Sequence, residues 1–183
     1  LLRFVNAVAD DIRDDYPQVA IETLAYQYTR KAPSITRPRD NVIVRLCSIE
    51  CCFSHDLGDA SCEVNGAFIR DITEWSKICS RLYIWDYVTD FSYYIPPFPN
   101  FRVLRSNMEF FAQHHVVGMY PEGNYQSDSG EFAELRAYLL AQCMWNPYMT
   151  EAEYQVAIDD FCTGYYGAGG MYVKKFLDFV CDA

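Results

Sequence analysis

The run Asn41-Val-Ile-Val-Arg-Leu-Cys-Ser-Ile-Glu50 is short, apolar and ends on a carboxylate. The device returns in Arg81-Leu-Tyr-Ile-Trp-Asp86 and in Val116-Val-Gly-Met-Tyr-Pro-Glu122, so that Glu50, Asp86 and Glu122 stand 36 residues apart. Apolar runs of this length, rich in β-branched and aromatic residues, read as buried strands. Val19–Tyr28 reads as an earlier strand, with Tyr26 and Tyr28 on one side and Gln27 on the other. Helical spacing separates the later runs: Phe68, Ile72, Trp75 and Cys79 form one stripe, and a further helix is expected near 105–115. Such alternation predicts an α/β fold with a parallel sheet. Four strands with crossover helices make half of a (β/α)8 barrel, here the C-terminal half, and in such barrels functional side chains gather at the C-terminal strand ends. An open doubly wound sheet is the alternative. Against it, no Gly-rich phosphate loop joins a strand to a helix, and Gly169-Gly170 follows a helix and reads as a turn.

Around these runs, residues 1–16 read as an amphipathic helix striped by Leu1, Phe4, Val5, Val8, Ile12 and Tyr16, with Pro17 as its stop. The first crossover, 29–40, is too short and Pro-rich for a full helix. Tyr87–Phe101 is a long aromatic loop, of the kind that carries function. Asp128 with Glu131, and Thr150 with Glu153, have the spacing of an N-cap and its partner three residues on; the first pair is expected to open a helix running to Trp145. A last amphipathic helix carries Met171, Val173, Phe176 and Phe179. The expected division is a half barrel over 1–146 and C-terminal helices over 147–183. A complete barrel needs roughly 250 residues, so the 183 residues are expected to be the C-terminal portion of a longer protein.

A net charge of −10 argues against a nucleic-acid partner, which needs a basic surface. No apolar run has the length of a membrane span. Aromatics reach 16%, with 15 Tyr, and such rings both fill cores and stack on sugars. The eight cysteines lack the paired C-x-x-C rhythm of zinc sites, and Cys79, Cys143 and Cys162 fall on apolar helix faces, so most are expected to be buried thiols. A disulfide from Cys62 to a nearby cysteine stays open. No metal and no cofactor is expected.

Several strings resemble one known family. They are Phe4-Val-Asn-Ala-Val-Ala9, Thr23-Leu-Ala-Tyr-Gln-Tyr-Thr-Arg-Lys-Ala-Pro33, Arg45-Leu-Cys-Ser-Ile-Glu-Cys51, Leu82-Tyr-Ile-Trp-Asp-Tyr87, Gly123-Asn-Tyr-Gln-Ser127 and Gly130-Glu-Phe-Ala-Glu-Leu-Arg-Ala-Tyr-Leu139. They look like a bacterial domain of formerly unknown function associated with glycoside hydrolase family 163, and the likeness runs over nearly all of the chain. What the resemblance implies is a (β/α)8 barrel distantly like family 20 hexosaminidases and α-glucuronidases. The implied activity is endo-β-N-acetylglucosaminidase action on complex N-glycans, in an extracytoplasmic setting. It also implies a partner, the upstream half of the same barrel, without which the chain alone is expected to be inactive. The family pattern places a Glu one position before Glu122, where this chain has Pro121.

A glycosidase needs a carboxylic acid that stays protonated near neutral pH, hence in a dry site, and a second group to stabilise or trap the sugar cation. Glu50, flanked by Ile49 and Cys51, is the first candidate, against a strand-end Glu paired with an Arg for structure alone. Asp86, between Trp85 and Tyr87, is the second catalytic candidate and suits a grip on a sugar hydroxyl; a turn Asp is the plainer reading. Trp85, Glu122, Asn124, Tyr125, Tyr26 and His55 are the candidate substrate contacts. In an N-acetylglucosaminide the substrate's acetamide can itself be the nucleophile. Arg30, Lys31, Arg37 and Arg39 read as a solvated charge run rather than an acidic-sugar site. The alternatives are a non-catalytic glycan-binding barrel and an exo-acting hexosaminidase or α-glucuronidase.

Overall fold

The alternation within Val42-Ile-Val-Arg-Leu-Cys becomes strand β2 (Val42–Cys47), and that within Leu82-Tyr-Ile-Trp-Asp-Tyr becomes β3 (Leu82–Tyr87). In the computed structural model, which describes residues 1–182, they join β1 (Ile21–Ala25) and β4 (Val116–Glu122) in a four-stranded parallel sheet. The order is β1-β2-β3-β4, and the register sets Glu22 opposite Ile43 and Cys47 opposite Trp85. Strand order follows the sequence without the reversal that defines a doubly wound sheet, so the described strands contain no switch point. The α/β class expected from the alternation is the one observed.

Helix α1 (Leu2–Ile12) precedes the sheet, while α2 (Gly66–Ser76) and α3 (Leu104–Gln113) supply the second and third crossovers. The first crossover has only a single 3-10 turn, Gln27–Thr29. That turn shortens the strand expected over Val19–Tyr28. The Tyr26 N–H donates to Thr29 Oγ1 at 3.1 Å, and Gln27 takes a φ of 47°, which no strand tolerates. Tyr26 and Tyr28 therefore do not share a strand face. α1 ends at Ile12 instead of Tyr16, and the chain beyond it makes one further turn in which Tyr16 N donates to Ile12 O at 2.9 Å. Its phase also departs from the expected stripe: Val5, Asn6 and Ala9 are buried, and Leu1 and Phe4 are exposed. Asn6 sets this rotation. Its Nδ2 donates to Arg37 O at 2.8 Å, its Oδ1 accepts from Arg39 N at 3.2 Å, and Asn41 Nδ2 donates to Ala9 O at 2.8 Å. Three side-chain amide bonds thus hold the helix to the chain entering β2.

Two compact units divide the chain. The first comprises Leu1–Cys52, Gly58–Tyr87 and Phe111–Pro121. Val42, Val44, Leu46, Leu82 and Ile84 form its core with Phe68, Ile72 and Phe111, all essentially inaccessible to water, and the Phe68 and Phe111 rings meet edge to face at 6.4 Å. The second comprises Phe53–Leu57, Val88–Phe110 and the chain from Glu122 onward, with α4 (Ala133–Trp145), α5 (Glu151–Tyr166) and α6 (Gly170–Asp182). The Thr150–Glu153 capping box forms as expected: Thr150 N donates to Glu153 Oε2 at 2.7 Å and Glu153 N to Thr150 Oγ1 at 3.3 Å. The Asp128–Glu131 device does not form. Glu131 pairs instead with the buried Arg136 at 2.6 Å, and α4 starts after Phe132, whose φ is 44°. Arg136 also donates to Asn100 Oδ1 at 3.0 Å and lies over the Phe101 ring at 4.4 Å. In α6 the buried side chain is Leu177, while Met171, Phe176 and Phe179 are exposed. No helix among the described residues is long and apolar enough to cross a membrane.

The rotation of α1 has a measurable signature. Asn6→Ala leaves the Arg37 carbonyl and the Arg39 amide without their partner and is expected to cost about 1–3 kcal/mol in urea unfolding. Phe4→Ala, at the position that the sequence stripe makes central, is expected to stay within about 0.5 kcal/mol.

Candidate functional site

Side chains at successive strand positions point to opposite faces of a sheet. On β2 and β3 the face away from the Val44–Ile84 core carries Arg45, Tyr83, Trp85 and Tyr87, and β1 adds Glu22. Arg45 Nη2 donates to Glu22 Oε2 at 2.7 Å, and its guanidinium lies 6.0 Å from the Tyr83 ring centre and 5.8 Å from that of Trp85. Trp85 stacks on Tyr87 at 6.4 Å with an interplanar angle of 15° and meets Tyr120 of β4 edge to face at 5.1 Å. Gly118 makes room for this wall, since a Cβ there would come within 2.5 Å of the Tyr83 ring. These side chains are half-buried or exposed, Tyr87 excepted. The result is an aromatic surface with one embedded ion pair, chemically suited to a ligand with flat apolar faces and hydroxyl edges. Of this group the sequence reading had singled out only Trp85 as a site residue. Arg45 and Glu22 were legible as charges inside strand-like runs, but only the register shows that they meet.

The carboxylates separate. Asp86 lies on the core face: it is 3% exposed, and Ser48, its cross-strand neighbour, donates to its Oδ1 at 2.5 Å. Burial pushes the Asp86 carboxyl up to about 6 from its ordinary 3.8, and the hydrogen bonds from Ser48 and the Tyr87 backbone offset only part of that. The dry site expected around Glu50 is therefore found around Asp86. Glu50 lies in the turn after β2 with its side chain 52% exposed, and Arg30 Nη1 binds its Oε2 at 2.7 Å. Arg30 also binds the enclosed Asp71 through Nε at 2.8 Å, while its carbonyl accepts from Trp75 Nε1 at 2.6 Å. Arg30 leaves the expected solvated charge run to become a structural tie. Arg39 pairs with Asp10 at 2.8 Å, and Lys31 and Arg37 are exposed.

Of the other candidate contacts, Tyr26 lies in the first unit, and His55, Glu122, Asn124 and Tyr125 lie in the second. Tyr26 is half-buried at the start of the 3-10 turn, and Gln27 Nε2 reaches its hydroxyl at 3.4 Å. In the second unit, Glu122 ends β4 and its carbonyl accepts from Val88 N at 3.0 Å. Asn124 Nδ2 donates to Ser127 O at 3.1 Å, which makes it a loop-forming residue. Tyr125 is exposed, near the Phe91 ring at 6.2 Å, and accepts from Gln126 Nε2 at 2.9 Å. His55 is exposed. Among the cysteines, Cys47, Cys51, Cys79, Cys143 and Cys162 are buried as expected. The sequence spacing hides one pairing: the sulfurs of Cys52 and Cys62, ten residues apart, lie within 4.8 Å of one another. Two such thiolates are half of a tetrahedral zinc set.

Fold and site together define an α/β domain with a sequentially ordered parallel sheet and an aromatic face. Residues 1–178 match the family described as "Domain of unknown function (DUF4838)", and the chain belongs to that family. No curated protein and no solved structure matches the chain.

Two variant sets test this electrostatic layout. Arg30→Ala leaves the enclosed Asp71 carboxylate uncompensated and is expected to cost about 3 kcal/mol, whereas Glu50→Gln, removing an exposed partner, is expected to cost under about 1 kcal/mol. Both are read from denaturant midpoints. Asp86 holds its proton more tightly when folded, so its contribution to stability is fully present below about pH 3.8 and is lost as pH rises through about 6. Asp86→Asn should therefore stabilise the protein near neutral pH, by on the order of 2–3 kcal/mol, and the gain should vanish in acid. Urea melts across that pH range check both the sign and the window.

Proposed function

We propose that the chain is the C-terminal half of a (β/α)8 glycoside hydrolase domain that cleaves β-N-acetylglucosaminide linkages in N-glycans. The observation that carries this reading is the wall of Tyr83, Trp85, Tyr87 and Tyr120 with the Arg45–Glu22 pair embedded in it. Trp85 would stack on a sugar face, and Arg45 and Glu22 would bond its hydroxyl or acetamide edges. The likeness of the sequence to the family 163 glycosidases adds the linkage and the extracytoplasmic setting. A sequential parallel sheet supports the barrel. So does the openness of both sheet margins: Leu24 on β1 and Val117 and Tyr120 on β4 are exposed, although parallel sheets are ordinarily covered on both faces. An apolar cleft beside β1, lined by Leu1, Leu24, Pro33 and Trp75, is where the upstream half of the barrel would pack.

For the chemistry, burial leaves Asp86 holding its proton toward neutral pH but on the sheet face opposite Trp85, so the proton for the leaving oxygen falls to the accessible Glu50. Glu50 would reach the substrate once it leaves Arg30. If the acetamide attacks the anomeric carbon, the enzyme supplies orientation and one proton, and needs no carboxylate nucleophile. A specific observation favours the second reading, a glycan-binding barrel without catalysis. Asp86 and Trp85 are adjacent on one strand and so face opposite ways, and Glu50 is neutralised by an ion pair. The exo-acting hexosaminidase or α-glucuronidase remains a variant of the first reading, told apart by release of terminal sugars.

The test uses the full-length protein and a complex N-glycan, with binding read from titration calorimetry and cleavage from product masses. Trp85→Ala is expected to weaken binding at least about tenfold, the loss of a central aromatic contact. Glu50→Gln is expected to abolish cleavage while binding persists. Binding without cleavage in the wild-type protein would establish the second reading, and absence of both would sink the two together.

A further inference from the structure

The eight cysteines of this chain differ in burial and in their neighbours. Burial pushes the thiols of Cys47 and Cys143 up to about 11, and raises those of Cys51, Cys79, Cys162 and Cys181 as well. Such thiols stay protonated near neutral pH and are poor nucleophiles. Cys52 and Cys62 are half-buried, and their sulfurs approach within 4.8 Å.

That approach is held by the backbone. The fully buried Asn65 accepts from Cys52 N at 2.8 Å and donates to Cys52 O at 3.1 Å, which fixes the peptide units on both sides of that residue. Cys62 N donates to Asp59 O at 3.2 Å, and Cys62 O accepts from Gly66 N at 3.1 Å, at the start of α2. Both Cα positions are thus anchored in the first unit, and an S–S bond of about 2.05 Å requires the two sulfurs to close the remaining gap by side-chain rotation.

We infer that Cys52 and Cys62 form a modification site, a dithiol that converts reversibly to a disulfide with a small disulfide oxidant of the glutathione type. The thiolate of one cysteine attacks a sulfur of the oxidant, breaks its S–S bond and releases one small thiol. The thiolate of the other then attacks the mixed disulfide, forms the Cys52–Cys62 bond and releases the second small thiol. The protein loses two electrons and the oxidant gains them; the two cysteine protons end on the released thiols. Closure would tie the chain just beyond Glu50 to the start of α2 within the same unit. This inference does not depend on the glycosidase reading.

The full chain is exposed to oxidised glutathione at mildly alkaline pH, alkylated after denaturation and mapped by peptide mass. The expected product is a peptide pair joined through Cys52 and Cys62, lighter by two hydrogen masses and separated by reductant. Cys62→Ser should leave Cys52 as the glutathione adduct, and Cys52→Ser should leave Cys62 so. The wild-type map is decisive by itself, whatever the folding of the variants. Glutathione adducts without the cross-link, a link from either residue to Cys51, or no reaction overturns the inference. Stoichiometric zinc binding that blocks oxidation and is lost in Cys52→Ser also overturns it and assigns the two thiols to a metal.

Discussion

Neighbouring residues of a strand face opposite ways, and that single constraint organises the first unit of this protein. On β3 it sends Leu82, Ile84 and Asp86 into the core and Tyr83, Trp85 and Tyr87 to the other face. On β2 it sends Val42, Val44 and Leu46 inward and leaves Arg45 among the rings. Parallel register then aligns like with like: Ser48 meets Asp86 and Arg45 meets Tyr83. A buried carboxyl and an aromatic wall thus arise from the same six-residue strand. They are separated by the thickness of the sheet, not by distance along the chain.

Polar ties do in this unit what a crossover helix would do elsewhere. Between β1 and β2 the chain carries Pro33 and Pro38, and makes only one 3-10 turn. Its place is held by Asn6 and Asn41 on one side and by Arg30 on the other, which reaches Glu50, Asp71 and the Trp75 indole. In the second unit Arg136 has a comparable part, gathering Glu131, Asn100 and the Phe101 ring. Both guanidiniums are mostly enclosed, where a planar five-donor group satisfies several acceptors at once and a lysine could not.

The class of the fold was legible because periodicity is a local property. β2, β3 and α2 were readable from apolar spacing, and the Thr150–Glu153 cap from residue types three positions apart. Errors came where a distant partner competes with a local rule. Glu131 has the spacing of a cap but finds Arg136; Phe4 has the spacing of a core residue, but Asn6 finds two backbone groups more than thirty positions away. Glu50 sits at a strand end beside apolar neighbours, yet the strand stops at Cys47 and leaves it in a solvated turn within reach of Arg30.

The sequence by itself determined the alternating elements and the net negative charge. Those follow from residue type and short-range spacing. Tertiary structure decided which carboxylate is dry, which is paired, and which aromatic side chains share a surface with Arg45 and Glu22. Burial and charge pairing depend on groups twenty to forty residues away, and no local pattern encodes them. The even rhythm of Glu50, Asp86 and Glu122 therefore reports a repeat of strand and helix. The chemical inequality of Glu50 and Asp86 belongs to the fold.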